Sequence, residues 1–225
     1  MGWSDWIRGV EIEPSLYGAD FARLGEQVDE LLAAGCRIFH YDVGDGHFVE
    51  PITMGPIVLE AISERIHVAG AAVDVHLMVD RPTDHFGAFA AAGADSVTFH
   101  HEVAHDVART AAAARAHGLQ AGLAFNPETE PEDVAAVAGD VDLVLCMSIH
   151  PGYSGQRFME EAYDRIRRLR AGLPPATPIQ VDGGVGPGNI AQLRDCGASL
   201  FVAASSIFGA DDPAQAYRGL ADAVA

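Results

Sequence analysis

The sequence predicts a single (β/α)8 barrel, with residues 1–225 as one domain. The chain has 225 residues, of which 49% are hydrophobic, and this suits one domain with a large core. Short apolar runs alternate with segments of helical spacing along the chain, as parallel α/β folds require. Several of these runs are apolar without interruption, which is typical of strands buried on both faces. A doubly wound open sheet is the competing fold.

The helix ends that lead into the predicted strands are marked by glycine. Gly35, Gly93, Gly118 and Gly197 each follow small or helical residues and precede an apolar run. Because glycine readily takes the left-handed conformation that ends a helix, each of these sites indicates a helix-to-strand connection. The predicted strands span residues 10–16, 37–43, 72–79, 96–101, 120–125, 142–149, 178–182 and 199–204.

The charge and the basic residues exclude several classes of function. The formal net charge is −18, whereas a nucleic acid or an anionic membrane is bound through clustered cations. All 14 basic residues are arginine. Schiff-base aldolases, pyridoxal-phosphate enzymes and P-loop ATPases all need a lysine amine, so the sequence excludes them. We therefore expect a small-molecule substrate, with neither a nucleic acid nor a membrane as partner.

The remaining composition indicates an ordinary soluble protein. Cys36, Cys146 and Cys196 lie far apart and form no CxxC pair, so neither a disulfide framework nor a zinc ribbon is indicated. No apolar run reaches the ~18 residues of a membrane span. The first residues lack the basic and apolar regions of a secretory signal. We expect a cytoplasmic location.

Polar side chains occur at the carboxyl ends of the predicted strands, where barrel enzymes place their active sites. Strand 2 ends with His40 and Asp42, strand 3 with His76 and Met78, and strand 7 with Asp182. Residues two apart in a strand share a face. Taken singly, each has an ordinary explanation as a hydrogen-bonded histidine or a turn aspartate. Together, two histidines and two aspartates from three strands make a plausible divalent-metal site.

Ordered motifs along the chain resemble those of the ribulose-phosphate 3-epimerase family. The resemblance covers about residues 11–209, and the order of the motifs makes it specific. The motifs are Ile12-Glu-Pro-Ser-Leu16, Gly18-Ala-Asp-Phe21, His40-Tyr-Asp-Val-Gly-Asp-Gly-His-Phe48, Asp74-Val-His-Leu-Met78, Asn126-Pro127, Met147 with Pro151-Gly-Tyr-Ser-Gly-Gln156, Val181-Asp-Gly-Gly184 and Ser205-Ser-Ile-Phe208.

The resemblance implies a metal-dependent isomerase of carbohydrate (pentose phosphate) metabolism. In that family one divalent metal ion is held by the residues that match His40, Asp42, His76 and Asp182. The two aspartates are also the catalytic acid and base. The implied reaction converts D-ribulose 5-phosphate into D-xylulose 5-phosphate, and homo-oligomers are common in the family. The ligand set suits Zn, Fe, Mn and Co alike, so it does not identify the ion.

Physical chemistry agrees with these roles. Epimerisation at carbon 3 removes a proton beside the carbonyl and returns one to the opposite face. Two carboxylates on opposite sides of a planar enediolate and a cation beside its oxygens serve that purpose. Ser15 and His76 match substrate-binding residues of the family, and Met78 and Met147 match methionines that line its pocket. Uncharged methionine walls suit a flat intermediate, although ordinary core packing also explains Met147.

The phosphate group of the substrate is expected to bind backbone amides, because the chain is acidic and has no lysine. The expected loops follow strands 6, 7 and 8. Their residues are Gly152, Tyr153, Ser154, Gly155, Gly183, Gly184, Ala204 and Ser205. The alternative is that these glycines only form turns.

Five positions depart from the usual pattern of the family: Gly44, Glu50, His150, Ser154 and Ala204. Ser154 and Ala204 replace glycines but retain their N–H groups. Gly44 stands where a pocket methionine is usual, so we expect open space beside the reacting carbons. That space suggests a bulkier ketose phosphate, such as D-allulose 6-phosphate, as an alternative substrate.

Two further functions remain open on the sequence. Related barrels that decarboxylate a nucleotide, or condense formaldehyde with a pentulose phosphate, carry an Asp-x-Lys pattern where this chain has Asp74-Val75-His76. The absence of lysine disfavours that chemistry. A catalytically silent barrel that binds a metabolite or a partner protein is the other alternative, and the presence of all four expected ligands counts against it.

Overall fold

The computed structural model of the protein describes residues 2–225. The eight strands are β1 (Glu11–Pro14), β2 (Ile38–Gly44), β3 (Ala72–Met78), β4 (Ser96–His100), β5 (Gln120–Phe125), β6 (Leu143–Met147), β7 (Ile179–Asp182) and β8 (Leu200–Ala203). The helices are α1 (Trp3–Trp6), α2 (Leu24–Ala33), α3 (Pro56–Val68), α4 (Phe86–Ala91), α5 (Val107–Ala116), α6 (Pro131–Val137), α7 (Ala162–Gly172), α8 (Ile190–Asp195), α9 (Ser205–Phe208) and α10 (Pro213–Val224). Within residues 2–225, no helix combines the length and the apolar character needed to cross a membrane.

All eight strands belong to one parallel sheet with the order β1-β8-β7-β6-β5-β4-β3-β2. Strands that are consecutive in sequence are therefore neighbours in the sheet, with a helix between each pair. A parallel bridge between Ser15 and His40 joins β1 to β2 and brings the two edges together. The predicted (β/α)8 barrel is confirmed, and the open doubly wound sheet is excluded. Every predicted strand is present, with bounds that agree within two residues.

The glycines predicted to end helices have the backbone conformation that this role requires. Gly35, Gly93, Gly118 and Gly197 all have positive φ, from 82° to 112°. Each lies between the end of a helix and the start of the next strand. Glycine takes this left-handed conformation without the steric penalty of a Cβ atom.

The apolar core has two parts. The larger part lies between the helices and the outward faces of the strands. The smaller part contains Trp3 and Trp6 together with the first interior residues of several strands, such as Ile38, Ala72 and Leu200. Helix α1 therefore covers the amino ends of the strands, a feature that the sequence analysis did not predict. With this end closed by apolar side chains, polar side chains occupy the opposite end of the barrel.

Candidate metal centre and substrate pocket

The four predicted metal ligands converge inside the barrel. The register of β2 and β3 sets Asp42 beside His76, and strand periodicity places His40 on the same inward face. Strand β7 contributes Asp182. One ligand atom from each residue lies within 4.8 Å of those of the other three. His40, Asp42 and His76 are buried, and Asp182 is half-buried.

Asp42 lies at the centre of this group. Its Oδ1 is 3.0 Å from His76 Nδ1 and 3.3 Å from His40 Nε2. His76 Nδ1 is also 3.8 Å from Asp182 Oδ2. On its other side, Asp42 Oδ2 accepts a hydrogen bond from Ser15 Oγ at 2.5 Å. Nitrogen and oxygen donors therefore surround one small volume.

The surroundings of His40 fit a divalent cation in that volume. Both ring nitrogens of His40 are buried and have no hydrogen-bond partner among the described residues. A buried polar atom without a partner is costly, and a cation at Nε2 would satisfy it. Two imidazoles and two carboxylates form a donor set that Zn, Fe, Mn and Co all accept. The residues present therefore fit a divalent metal.

The two aspartates differ in acidity. Burial raises the pKa of Asp42, but the charge of His40 and the close contacts with both histidines outweigh it, so the pKa lies well below its usual range. Burial and the negative charge of Asp42 raise the pKa of Asp182 to about 7. Two neighbouring carboxyl groups of this kind favour one ionised and one protonated form. The pair can therefore present a base and an acid at the same time.

A second polar layer, which the sequence analysis missed, lies beneath the ligands. Gln180 Nε2 donates hydrogen bonds to Glu13 Oε2 at 2.6 Å and to Asp74 Oδ2 at 3.1 Å. His40 Nδ1 lies 3.5 Å from Asp74 Oδ2 and 3.7 Å from Glu13 Oε2. Burial raises the pKa of Glu13 to about 7. Each of the three residues precedes a predicted site residue by two positions, so strand periodicity could have found them.

A third set of missed residues lies behind His76. His76 Nε2 is 2.8 Å from His100 Nε2, and His100 Nδ1 is 3.2 Å from Glu102 Oε2. Glu102 Oε1 accepts hydrogen bonds from the backbone N–H of Asn126 at 2.8 Å and from the Thr129 hydroxyl. Burial lowers the pKa of His76 and lowers that of His100 to about 4. His100 ends β4, so the strand-end rule that selected His76 could also have selected it.

Glu102 is an ionised acceptor at the end of this set. Burial raises its pKa, but the hydrogen bonds from His100, Thr129 and Asn126 outweigh burial and lower the pKa to about 2. Its side chain is 24% exposed, whereas that of His100 is fully buried. The contacts of His76, His100 and Glu102 thus extend from the buried ligands toward the rim of the barrel.

The predicted substrate contacts line one pocket above the ligands. They are Ser15, Met78, Met147, Gly152, Tyr153, Ser154, Gly155, Gly183, Gly184, Ala204 and Ser205. Asp42 and Asp182 face the same pocket, whereas His76 lies deeper and is fully buried. Four further lining residues were not predicted: Tyr17, Ile149, Val185 and Val202. None of the 14 arginines, all within residues 2–225, is part of the lining.

The expectation that Gly44 leaves open space beside the reacting carbons is wrong. A Cβ atom at this position would lie 2.6 Å from the Pro51 carbonyl oxygen and 2.9 Å from Val49 Cγ2. The loop after β2 folds back here, with Gly44 N–H donating to Thr53 Oγ1 at 2.7 Å. Gly44 is also absent from the pocket lining among the described residues. Glycine at this position allows the close approach of the loop, and it does not enlarge the pocket.

Comparisons with known proteins agree with the fold and with the motifs. The model of the Ribulose-phosphate 3 epimerase family matches residues 11–208. Ribulose-phosphate 3-epimerase 2 of Cupriavidus necator is 40% identical over 220 residues, which cover 95% of this chain and 90% of that protein. Ribulose-phosphate 3-epimerase of Serratia marcescens is 43% identical over 205 residues, which cover 89% of this chain and 96% of that protein.

A solved structure of 3-hexulose-6-phosphate synthase has the same fold. It aligns with a TM-score of 0.73 over 96% of this chain and 100% of that chain, at 20% sequence identity. At this identity the likeness concerns the fold alone.

Proposed function

Because the chain belongs to the ribulose-phosphate 3-epimerase family and is an isomerase acting on carbohydrates, we propose that it interconverts D-ribulose 5-phosphate and D-xylulose 5-phosphate. The observation that carries the proposal is the convergence of Asp42 and Asp182, with opposite shifts in pKa, on one pocket beside two imidazoles. We treat residues 1–225 as one catalytic domain.

Asp42 and Asp182 are the proposed acid and base. Epimerisation breaks the C–H bond at carbon 3 and forms a new one on the opposite face. One carboxylate accepts the first proton, and the other carboxyl group donates the second. After one turnover the two groups have exchanged protonation states, so the reverse reaction uses them in the opposite order. In the metal-free chain the pKa of Asp42 is lowered and that of Asp182 is raised to about 7, so the two carboxyl groups differ in their affinity for a proton before any ion binds.

His40, Asp42, His76 and Asp182 would hold the divalent ion, which is Zn, Fe, Mn or Co in this proposal. When bound, the ion supplies positive charge beside the ketose oxygens, which increases the acidity of the adjacent C–H group. Its binding is supported by the buried ring nitrogens of His40 and by the surplus of buried carboxyl groups around them.

The rest of the pocket binds and orients the sugar phosphate. Met78 and Met147 present uncharged walls to the carbon chain, and the Ser15 hydroxyl holds Asp42 beside the substrate. We assign the phosphate to the backbone amides of residues 152–155, 183–184 and 204–205. These loops line the same pocket and contain no basic side chain, so amide donors are the available positive dipoles.

A hexulose phosphate such as D-allulose 6-phosphate has no specific observation in its favour, because the direction of a side chain at Gly44 is already filled. A silent barrel would not require the buried carboxyl and imidazole groups to converge. The acidic chain disfavours nucleic-acid and membrane partners. We further propose that the enzyme is cytoplasmic and homo-oligomeric.

Deuterium exchange tests this proposal. The protein is purified without chelator, its bound metal is quantified, and it is incubated in deuterated water with each candidate sugar phosphate. We expect deuterium at carbon 3 and formation of the epimer with D-ribulose 5-phosphate. Exchange with D-allulose 6-phosphate alone would contradict the substrate assignment. No exchange with either substrate, in protein that contains metal, would contradict the proposed activity.

A further inference from the structure

A row of four side chains runs from the proposed metal site to the rim of the barrel. It consists of Asp42, His76, His100 and Glu102, with successive contacts of 3.0, 2.8 and 3.2 Å. The rings of His76 and His100 are 5.0 Å apart between centroids and inclined by 21°. This centroid separation is far larger than the 2.8 Å between the two Nε2 atoms, so the rings meet edge to edge. Such a geometry suits an N–H···N hydrogen bond between them.

The three contacts in this row need one hydrogen or one cation each. Without one, two lone pairs would face each other across a short distance. A neutral imidazole carries one N–H group, and both histidines are neutral when a cation takes the place of a hydrogen at one of the three contacts. His76 and His100 together therefore supply two hydrogens for three contacts.

Glu102 decides which contact is left without a hydrogen. Its Oε1 already accepts hydrogen bonds from Asn126 and Thr129, and its carboxylate has no hydrogen to give. Glu102 Oε2 must therefore accept from His100 Nδ1. His100 Nε2 is then an acceptor, so His76 Nε2 is the donor. The lone pair of His76 Nδ1 consequently faces Asp42 Oδ1, where a cation can lie between them.

We propose that Glu102 and His100 are positioning residues that set the tautomer of His76 and so direct its Nδ1 lone pair toward the divalent ion. This inference rests on the metal assignment made under the proposed function. Neither residue is among those that line the substrate pocket in the described chain, so both act through His76. Partners of this kind behind a metal-bound histidine commonly change metal affinity by about 10- to 100-fold.

The isosteric variant Glu102→Gln tests the direction of the hydrogen bonds between Glu102, His100 and His76. The donors from Asn126 and Thr129 hold the amide oxygen, so the amide NH2 group faces His100 Nδ1. His100 must then donate from Nε2, and His76 must place its hydrogen on Nδ1, where the metal would bind. We expect the zinc affinity of the full chain, measured by competition with a chelator, to fall by about 10- to 100-fold.

Glu128→Gln is the matched control. Glu128 makes the same kind of contact, 3.1 Å from His150 Nδ1, but both side chains are at least 60% exposed. This variant should retain the zinc affinity of the wild type. Nitrogen-15 NMR of the histidine rings in the zinc-loaded wild type provides a second readout. It should show His100 protonated at Nδ1 and unprotonated at Nε2.

The outcomes separate this inference from the metal assignment. Two results would overturn the positioning role of Glu102 and His100 and leave the metal site intact. One is wild-type zinc affinity in the Glu102→Gln variant, and the other is a proton on His100 Nε2 in the zinc-loaded wild type. If the wild type binds neither zinc nor any of the other candidate ions, both the metal assignment and the positioning role of Glu102 and His100 are overturned. Should Glu102→Gln fail to fold, the NMR measurement on the wild type decides alone.

Discussion

The two oxygens of Asp42 have different partners: Oδ2 accepts a hydrogen bond from Ser15 Oγ at 2.5 Å, whereas Oδ1 faces His40 and His76. Ser15 also forms the backbone bridge to His40 that joins β1 to β2. The residue that brings together the two edges of the barrel therefore also orients the proposed catalytic carboxylate. This arrangement couples the fold to the site.

The variant Ser15→Ala should lower turnover without removing the metal. A hydrogen bond to a charged group contributes about 1.5–3 kcal/mol, which corresponds to roughly a 10- to 100-fold loss in kcat if it orients Asp42 in the transition state. Metal content should not change, because all four ligands remain. Steady-state kinetics and metal analysis are the measurements. Ser63→Ala, a hydroxyl outside the pocket lining, should behave as wild type, and full turnover in Ser15→Ala would contradict the orienting role.

The variants Asp42→Asn and Asp182→Asn should each slow epimerisation by about 100- to 10,000-fold, because each removes one of the two proton carriers. In each variant the remaining carboxylate can still remove and return the proton on its own face of carbon 3. Slow deuterium exchange without inversion should therefore persist for one epimer in the first variant and for the other epimer in the second. Metal content is measured in parallel, because both residues are proposed ligands. Exchange of the same epimer by both variants would contradict the two-sided arrangement.

The variant Gly44→Ala should destabilise the protein by about 1–3 kcal/mol, as overpacking does elsewhere. Its Cβ atom would lie 2.6 Å from the Pro51 carbonyl oxygen, and backbone atoms cannot move aside as a flexible side chain can. Chemical denaturation gives the free energy of unfolding. Gly139→Ala is the control, because nothing lies within 4 Å of its new Cβ atom. An unchanged denaturation midpoint for Gly44→Ala would contradict the close contact between Gly44 and the loop after β2.

The stabilising contribution of Glu102 should depend on pH. Its folded-state pKa is about 2, below the ordinary value of 4.5, so the unfolded chain binds its proton first as the pH falls. The contribution is therefore complete above pH 4.5 and is lost as the pH falls toward 2. Glu102→Gln does not titrate, so the difference in unfolding free energy between wild type and variant should shrink by about 2 kcal/mol from pH 6 to pH 3. Denaturation of the metal-free proteins measures this difference, and a constant difference would contradict it.

Much of the site could be predicted because strand periodicity and parallel topology act together. His40, Asp42, His76 and Asp182 end strands in the sequence, and the carboxyl ends of parallel strands meet at one end of a barrel. The same reasoning extends two positions back to Glu13, Asp74 and Gln180, which lie one layer deeper. His100 also ends a strand, but its role depends on a contact with His76 that strand position alone does not reveal.

At Gly44 the comparison with the usual pattern of the family led to a wrong prediction. The absence of a side chain suggested an open pocket, but the loop of residues 45–53 occupies that direction instead. The path of a loop depends on contacts such as that of Thr53 with Asp42 O and Gly44 N–H. Such contacts join residues that no periodic pattern relates.

The sequence by itself determined the barrel, its eight strands, the four candidate ligands and the exclusion of lysine chemistry, because these follow from periodicity, chain order and residue type. Only the tertiary structure decided that Ser15 holds one oxygen of Asp42, that Glu102 reaches His76 through His100, and that a loop fills the space beside Gly44. The physical reason is distance. Hydrogen bonds and steric contacts act over about 3–4 Å, and which residues come that close depends on the packed arrangement of the whole chain.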